Sequence, residues 1–206
     1  MSATIYSHYM SNIEPEILRA QTLVVRQFLP DNWEFKQIHR DDYARNYTNI
    51  LRECVITNPH PVTIFLDVDC IPLSRAALVY MEMAARSGAL IGGVQRANHI
   101  QNNEHLYVGP SCMGLSHDAY WKYNAPSFAA TDRGDWAEEL TYRWEELNAP
   151  VKLLLPIHVA EPQWKLRDGK MFGYGTNYDN LFFHAFGCNR RASTKLFLDK
   201  CREVLQ

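Results

Sequence analysis

A chain of 206 residues can bury one substantial core and is short for two. With 47% hydrophobic and 21% charged residues its composition is globular, which argues against long disorder, and a formal net charge of −2 excludes a strongly basic nucleic-acid binder of the simplest kind. The charge is uneven: residues 151–206 hold nine Lys/Arg against five Asp/Glu, a +4 tail that suits an anion beside an acidic remainder that suits a cation.

In chain order, Ala3 to Tyr6 reads as a short strand and Glu14 to Phe28 as a helix, with Ile17, Leu18, Leu23, Val24 and Phe28 at helical spacing. Trp33 to Ile38 reads as a second strand, and Asp41 to Ile56 as a second helix through Tyr43, Tyr47, Ile50, Leu51 and Cys54. Val62-Thr-Ile-Phe-Leu66 is a continuous apolar run, the pattern of a strand buried on both faces. Ser74 caps a helix expected to run to Arg86, and Leu90 to Val94 is a further strand. Strand, helix, strand, helix, strand is the pattern of an open α/β sheet, whose ligands sit beyond the carboxyl ends of the strands. The second half is less regular. Asp135 to Glu146 reads as an amphipathic helix, Val151 to Leu155 as a strand, Trp164 to Tyr178 as a Gly-rich charged loop, and Thr194 to Leu205 as a closing helix.

Five scattered cysteines with no CxxC pair suit a reducing compartment better than a disulfide framework or a zinc site. No basic stretch followed by an apolar run opens the chain, and no segment has the length of a membrane span. The expectation is a soluble, cytoplasmic protein with no membrane partner.

The chemistry concentrates in Asp67-Val-Asp69, just past the buried strand. Two carboxylates two residues apart point the same way on extended backbone, repel each other, and are neutralised best by a hard divalent ion such as Mn2+ or Mg2+. Such an ion keeps positions open for substrate phosphates. One class with this motif is the haloacid-dehalogenase-like phosphatases, where the first Asp is a nucleophile and the second an acid. Gly134-Asp135 followed by Glu138 and Glu139 resembles their later acidic motif, but their first motif usually lies near the chain start.

The wider resemblance is to the GT-A glycosyltransferases. Ala44-Arg45-Asn46-Tyr-Thr-Asn-Ile is similar to their "A-R-N-x-G-I" segment, with Asn49 where Gly is usual, and Asp67-Val-Asp69 matches their DxD. Glu139-Leu-Thr-Tyr-Arg-Trp-Glu-Glu-Leu resembles a helix of inverting members that follows an acidic pair carrying the general base. The resemblance therefore implies Asp135 or Glu138 as the catalytic base, since an acceptor hydroxyl needs a carboxylate within reach to take its proton. Asn180-Leu-Phe-Phe-His184 resembles the late segment whose His completes the coordination, which gives Asp67, Asp69 and His184 as metal ligands. Gly92-Gly93-Val-Gln95-Arg96 stands where these enzymes contact the donor sugar, and Gly109 to Leu115 resembles their acceptor-side segment. The implied nucleotide contacts are Tyr6, Arg45, Asn46, Asp67, Val68 and Arg96, with His8, Lys165 and Arg167 nearby.

The reading is thus a single α/β domain of GT-A type, an open mixed sheet flanked by helices. About residues 1–115 would bind the donor and 116–206 the acceptor. The implied activity is metal-dependent transfer of a sugar from a nucleotide-diphosphate donor, UDP-linked by default, to a hydroxyl on a glycan, a protein or a hydroxymethylated base in DNA. The chain also resembles small phage enzymes that glycosylate hydroxymethylcytosine, and Arg190, Arg191, Lys195, Lys200 and Arg202 could track DNA phosphates. The alternatives are the phosphatase above and a sugar-nucleotide-binding protein without turnover.

Overall fold

The structure, a computed structural model, describes residues 2–101, 103–188 and 190–206. The first half runs β1 (Ala3–Tyr9), α1 (Pro15–Phe28), β2 (Glu34–His39), α2 (Tyr43–Thr57), β3 (Val62–Leu66), β4 (Cys70–Pro72), α3 (Arg75–Arg86) and β5 (Leu90–Gln95). The second half runs β6 (Tyr107–Ser116), α4 (His117–Lys122), α5 (Glu138–Glu146), β7 (Val151–Leu154), β8 (Pro156–Lys165), β9 (Met171–Tyr178), β10 (Phe182–His184) and α6 (Arg191–Val204).

The main sheet has the order β2-β1-β3-β6-β5-β7. Neighbours are parallel except at β6, which runs antiparallel to both β3 and β5. Both faces are covered, as the unbroken apolar run of β3 requires. Alternation along that strand sends Ile64 and Leu66 into one core with Met81 and Ile91, and Phe65 into the other with Met113 and Trp144. The first core lies under α3, whose N-cap Ser74 accepts a hydrogen bond from the Ala77 N–H at 3.2 Å. Gly92 is dictated by close approach: a Cβ there would lie 1.9 Å from the Cys112 carbonyl oxygen on β6.

A second, antiparallel sheet has the order β4-β10-β9-β8. Two expectations change here. The segment Trp164 to Tyr178, read as a loop, is the end of β8, a turn and all of β9. Gly169 does make the turn, with φ +88°, but the glycines within β9 are not breaks: a Cβ on Gly173 would meet the Glu161 carbonyl at 2.4 Å, and Gly175 takes φ +71° within the strand. The helix expected from Asp135 begins at Glu138, because Ala137 adopts φ 64° and leaves Asp135 in the preceding loop. Helices α1 and α6 pack together over the second sheet, burying Ile17, Val24, Phe197 and Cys201 against Ile71 and Phe183. Among the described residues no helix is long and apolar enough to cross a membrane, and all five cysteines are free and buried.

Candidate active site

β3 belongs to the main sheet and β4 to the second, so the chain must turn between them, and it does so at Asp67-Val-Asp69. The Cys70 N–H donates to the Asp67 carbonyl at 2.8 Å, closing a turn. The two carboxylates therefore converge through a turn and not, as expected from the sequence, along extended backbone. His184 ends β10, whose residues pair with β4 so that His184 stands opposite Cys70. Its Nε2 lies 3.1 Å from Asp69 Oδ1 and 3.8 Å from Asp67 Oδ2. One ligand atom from each of the three residues falls within 4.8 Å of the others, the metal-type cluster among the described residues.

The electrostatics of the cluster fit a cation. Burial raises the Asp67 carboxyl to about 6; His184 opposes the rise and the Asp69 charge adds to it. The Asp67 side chain still keeps 40% of its surface open toward the recess, so it is walled in and remains reachable. Asp69, only 6% exposed, is held below the usual carboxylate value. Burial works against that, but His184 and the Cys188 N–H, which donates to Asp69 Oδ2 at 3.1 Å, outweigh it. His184 Nδ1 is buried without a hydrogen-bond partner among the described residues, so the ring meets polar groups only through the nitrogen that faces the carboxylates. Two carboxylates and an imidazole form a donor set that manganese or magnesium accepts.

A buried glutamine holds the turn from beneath. Gln21 on α1, fully buried, donates through Nε2 to the carbonyls of Asp67 at 2.6 Å and Cys70 at 3.0 Å. Its Oε1 accepts from Ser7 Oγ at 2.9 Å and Gln37 Nε2 at 2.8 Å. Sequence reading passed over Gln21, although it left a signal: it sits on the buried stripe of α1 with Ile17, Val24 and Val25, where an amide needs a reason.

Asp67, His184, Asp135 and Trp136 line one recess of about 450 Å³, together with Gln95, Tyr107 and Ser111. The two base candidates separate cleanly. Asp135 faces the recess with 25% exposure, its carboxylate 3.4 Å from the Tyr107 hydroxyl. Glu138 is fully buried beneath it and lines neither recess that Asp135 lines. Glu138 Oε2 accepts from the Asp135 N–H at 2.7 Å, while its own N–H donates to the Asp135 carbonyl at 3.1 Å. Glu138 Oε1 meets His105 Nδ1 at 2.8 Å, and His105 Nε2 meets Glu145 at 3.0 Å. Burial lowers the His105 pKa, but the hydrogen bonds to these two carboxylates raise it further, so the net shift is upward. Glu138 thus holds the Asp135 backbone from a buried position.

The nucleotide-contact candidates scatter. Val68 and Asp67 line a smaller recess of about 210 Å³ at the carboxyl end of β1, together with His8, Tyr9 and Asn12. Tyr6 lies 5% exposed in the core, its ring between those of His8 and Phe65. Arg45 and Asn46 are exposed on the kinked start of α2, where Asn46 binds Asp42, and neither lines a recess described here. Arg96 is engaged by the Asn103 carbonyl at 2.7 Å and Glu104 at 2.8 Å. The glycine pair Gly92-Gly93 is buried in β5, and it is Gln95 and Arg96 beyond it that reach recesses. Of the cations that suggested DNA, Lys195 and Arg202 pair with Asp199, Lys200 pairs with Glu203, and Arg190 lies against the Tyr174 ring.

No family model matches the chain, and no curated protein does. Among solved structures, a mutant of Drosophila β-1,4-galactosyltransferase 7 in complex with manganese, UDP-Gal and xylobiose superposes with a TM-score of 0.56 at 15% identity, over 94% of this chain and 73% of that one. The A197 protein from STIV superposes with a TM-score of 0.47 at 14% identity, over 84% of this chain and 93% of that one, too loosely to carry an argument. Identity this low establishes architecture alone: the chain has the GT-A glycosyltransferase fold, a mixed sheet flanked by helices.

Proposed function

We propose that this protein is a metal-dependent glycosyltransferase that moves a sugar from a nucleotide-diphosphate donor, UDP-linked, to an acceptor hydroxyl. The observation that carries the reading is the convergence of Asp67, Asp69 and His184, two of which, Asp67 and His184, line the same recess as Asp135. The galactosyltransferase with the same fold was solved with manganese, UDP-Gal and a xylobiose acceptor, which supports the same class of ligands here. The phosphatase alternative has no support in a GT-A architecture.

In this reading Asp67, Asp69 and His184 hold Mn2+ or Mg2+. When bound, the ion neutralises the donor diphosphate and the charge that develops on the leaving group. The recess around His8, Tyr9 and Val68 takes the nucleoside, and the larger recess takes the donor sugar. Residues of the first 115 positions supply most of this donor side, while His184 and Asp135 come from the remainder and complete it. Asp135 is the base. As the acceptor oxygen bonds to the anomeric carbon, its proton passes to the Asp135 carboxylate. The bond from that carbon to the diphosphate oxygen breaks, and its electron pair leaves with the nucleoside diphosphate. Gln21 and Glu138 fix the turn and the loop that carry these groups, so the reacting geometry is set before substrate arrives.

A thermal-shift panel of UDP-sugars with and without manganese tests the proposal, because a ligand of the folded state raises its melting temperature by mass action. A manganese-dependent shift that Asp69→Ala abolishes, with that variant still folded, is the expected result. Normal turnover of Asp69→Ala in the presence of chelator would overturn it.

A further inference from the structure

Asp135 lines two recesses. The second, a hollow of about 310 Å³ that neither Asp67 nor His184 lines, has a different character. Its floor is aromatic. Trp164 at the end of β8 has its ring centre 5.2 Å from that of Phe172 on β9 and 5.5 Å from that of Phe186, just past β10. Its rim is polar, formed by Gln95, Asn98, His99 and Asp135.

We propose that this hollow is the acceptor subsite and that it takes a neutral sugar ring lying on Trp164. The proposal rests on the glycosyl-transfer reading above and names the substrate class for it. Three observations carry it. The first is position: Gln95, Tyr107, Asp135 and Phe186 line both recesses, so a ligand in the hollow lies next to the larger recess and meets the same Asp135. The second is chemistry. A sugar ring has an apolar C–H face and an edge of hydroxyls, and an aromatic floor with an amide and carboxylate rim meets both. The hollow lies at the small end of the ligand-pocket range of roughly 300–1,000 Å³, which suits one ring inside and the rest of a glycan outside.

Charge is the third observation, and it decides against a phosphodiester. Arg96 lines the hollow, but its guanidinium is taken up by Glu104 and by the Asn103 carbonyl. The carboxylate of Asp135 faces the same space, with His99 Nδ1 3.8 Å away. A polyanion entering here would meet an acid and a cation already neutralised. The floor is also tied to the metal cluster, since the Phe186 ring lies 3.7 Å from that of His184. Metal-side order and acceptor-side shape are therefore set by the same short segment.

The experiment uses the full chain with manganese and the UDP-sugar that gives the largest thermal shift. Methyl glycosides of xylose, glucose, galactose and N-acetylglucosamine are offered as acceptors beside an oligonucleotide containing hydroxymethylcytosine. The expected result is saturable transfer to at least one glycoside. Trp164→Ala then raises its KM about tenfold, the loss of one stacking face, while UDP affinity stays within about twofold, and Trp164→Phe recovers most of the difference. Should Trp164→Ala fail to fold, Asn98→Ala on the exposed rim gives the second measurement and raises the same KM. Transfer to the oligonucleotide alone, transfer to no glycoside, or a glycoside KM indifferent to these changes overturns the proposal. A normal manganese-dependent UDP shift beside any of those failures sinks the acceptor assignment only. Loss of the shift in the parent protein sinks the donor reading.

Discussion

Replacing Gln21 by Leu keeps the volume of the side chain and removes its hydrogen bonds, and so isolates what the buried amide does. Four bonds disappear together: two to the carbonyls of Asp67 and Cys70, and two from Ser7 and Gln37. Some partners keep a second contact. The Asp67 carbonyl still accepts from the Cys70 N–H, and Gln37 Nε2 still donates to the Leu18 carbonyl. The Cys70 carbonyl and the Ser7 hydroxyl are the groups most exposed to the loss. At about 1–3 kcal/mol per buried group left unpaired, offset in part by burying an apolar side chain, the variant should lose about 2–4 kcal/mol. Urea unfolding measures that directly. The functional consequence is separate: the turn carrying both carboxylates loses its support, and manganese affinity should fall about 10- to 100-fold, as when groups that orient metal ligands are removed. A loss below about 0.5 kcal/mol together with unchanged manganese binding would refute the role given to Gln21.

Three further outcomes are expected. Asp135→Asn should cut transfer by about 10² to 10⁴ at nearly unchanged donor affinity; Glu138→Gln should instead lower the melting temperature, and equal activity in Asp135→Asn with collapse confined to chemistry in Glu138→Gln would reverse the assignment. His8, 6% exposed, has its pKa pushed down to about 4 by burial and then by Arg40. Between that value and its unfolded value of about 6.5 the unfolded chain binds the extra proton, so stability is full above this window and falls by about 3 kcal/mol as pH drops through it. Comparing urea midpoints of the parent and His8→Gln at neutral and acid pH checks this, and equal pH slopes would refute it. Gly92→Ala drives a methyl into the Cys112 carbonyl and should cost about 3 kcal/mol or more, visible as loss of soluble folded protein.

The parts of the fold legible in the sequence are those whose cause is local. β3 was readable because a strand covered on both faces has no polar side to show, and α3 because Ser74 supplies its own cap. β6 and the β8–β9 hairpin were not, because their glycines answer to distant neighbours. Gly109 leaves room for the Gln95 side chain, Gly114 for Met81, and Gly173 for the Glu161 backbone. Read along the chain, such glycines look like turns; across the sheet, each is a place where another segment comes too near for a Cβ.

The site divides along the same line. Asp67 and Asp69 announce themselves because the two carboxylates are close in sequence, but the reason they converge is topological: β3 and β4 belong to different sheets, and the residues between them must turn. His184 lies 115 residues beyond Asp69 and joins it because β10 pairs with β4 in one particular register. A shift of that register by one residue would send the imidazole to the opposite face of the sheet. Family likeness suggested His184, whereas its aromatic neighbours taken alone favour a core histidine satisfied by a backbone carbonyl. Asp135 and Glu138 are set apart by a smaller feature still, the left-handed Ala137 that starts α5 after Asp135 and leaves the aspartate in the loop that lines the recess. The glutamate, by contrast, enters the first turn of the helix and is drawn inward to His105 and Asn103. Two acids three residues apart thus sit differently on one loop: the buried one binds the Asp135 backbone, and the other lines the recess.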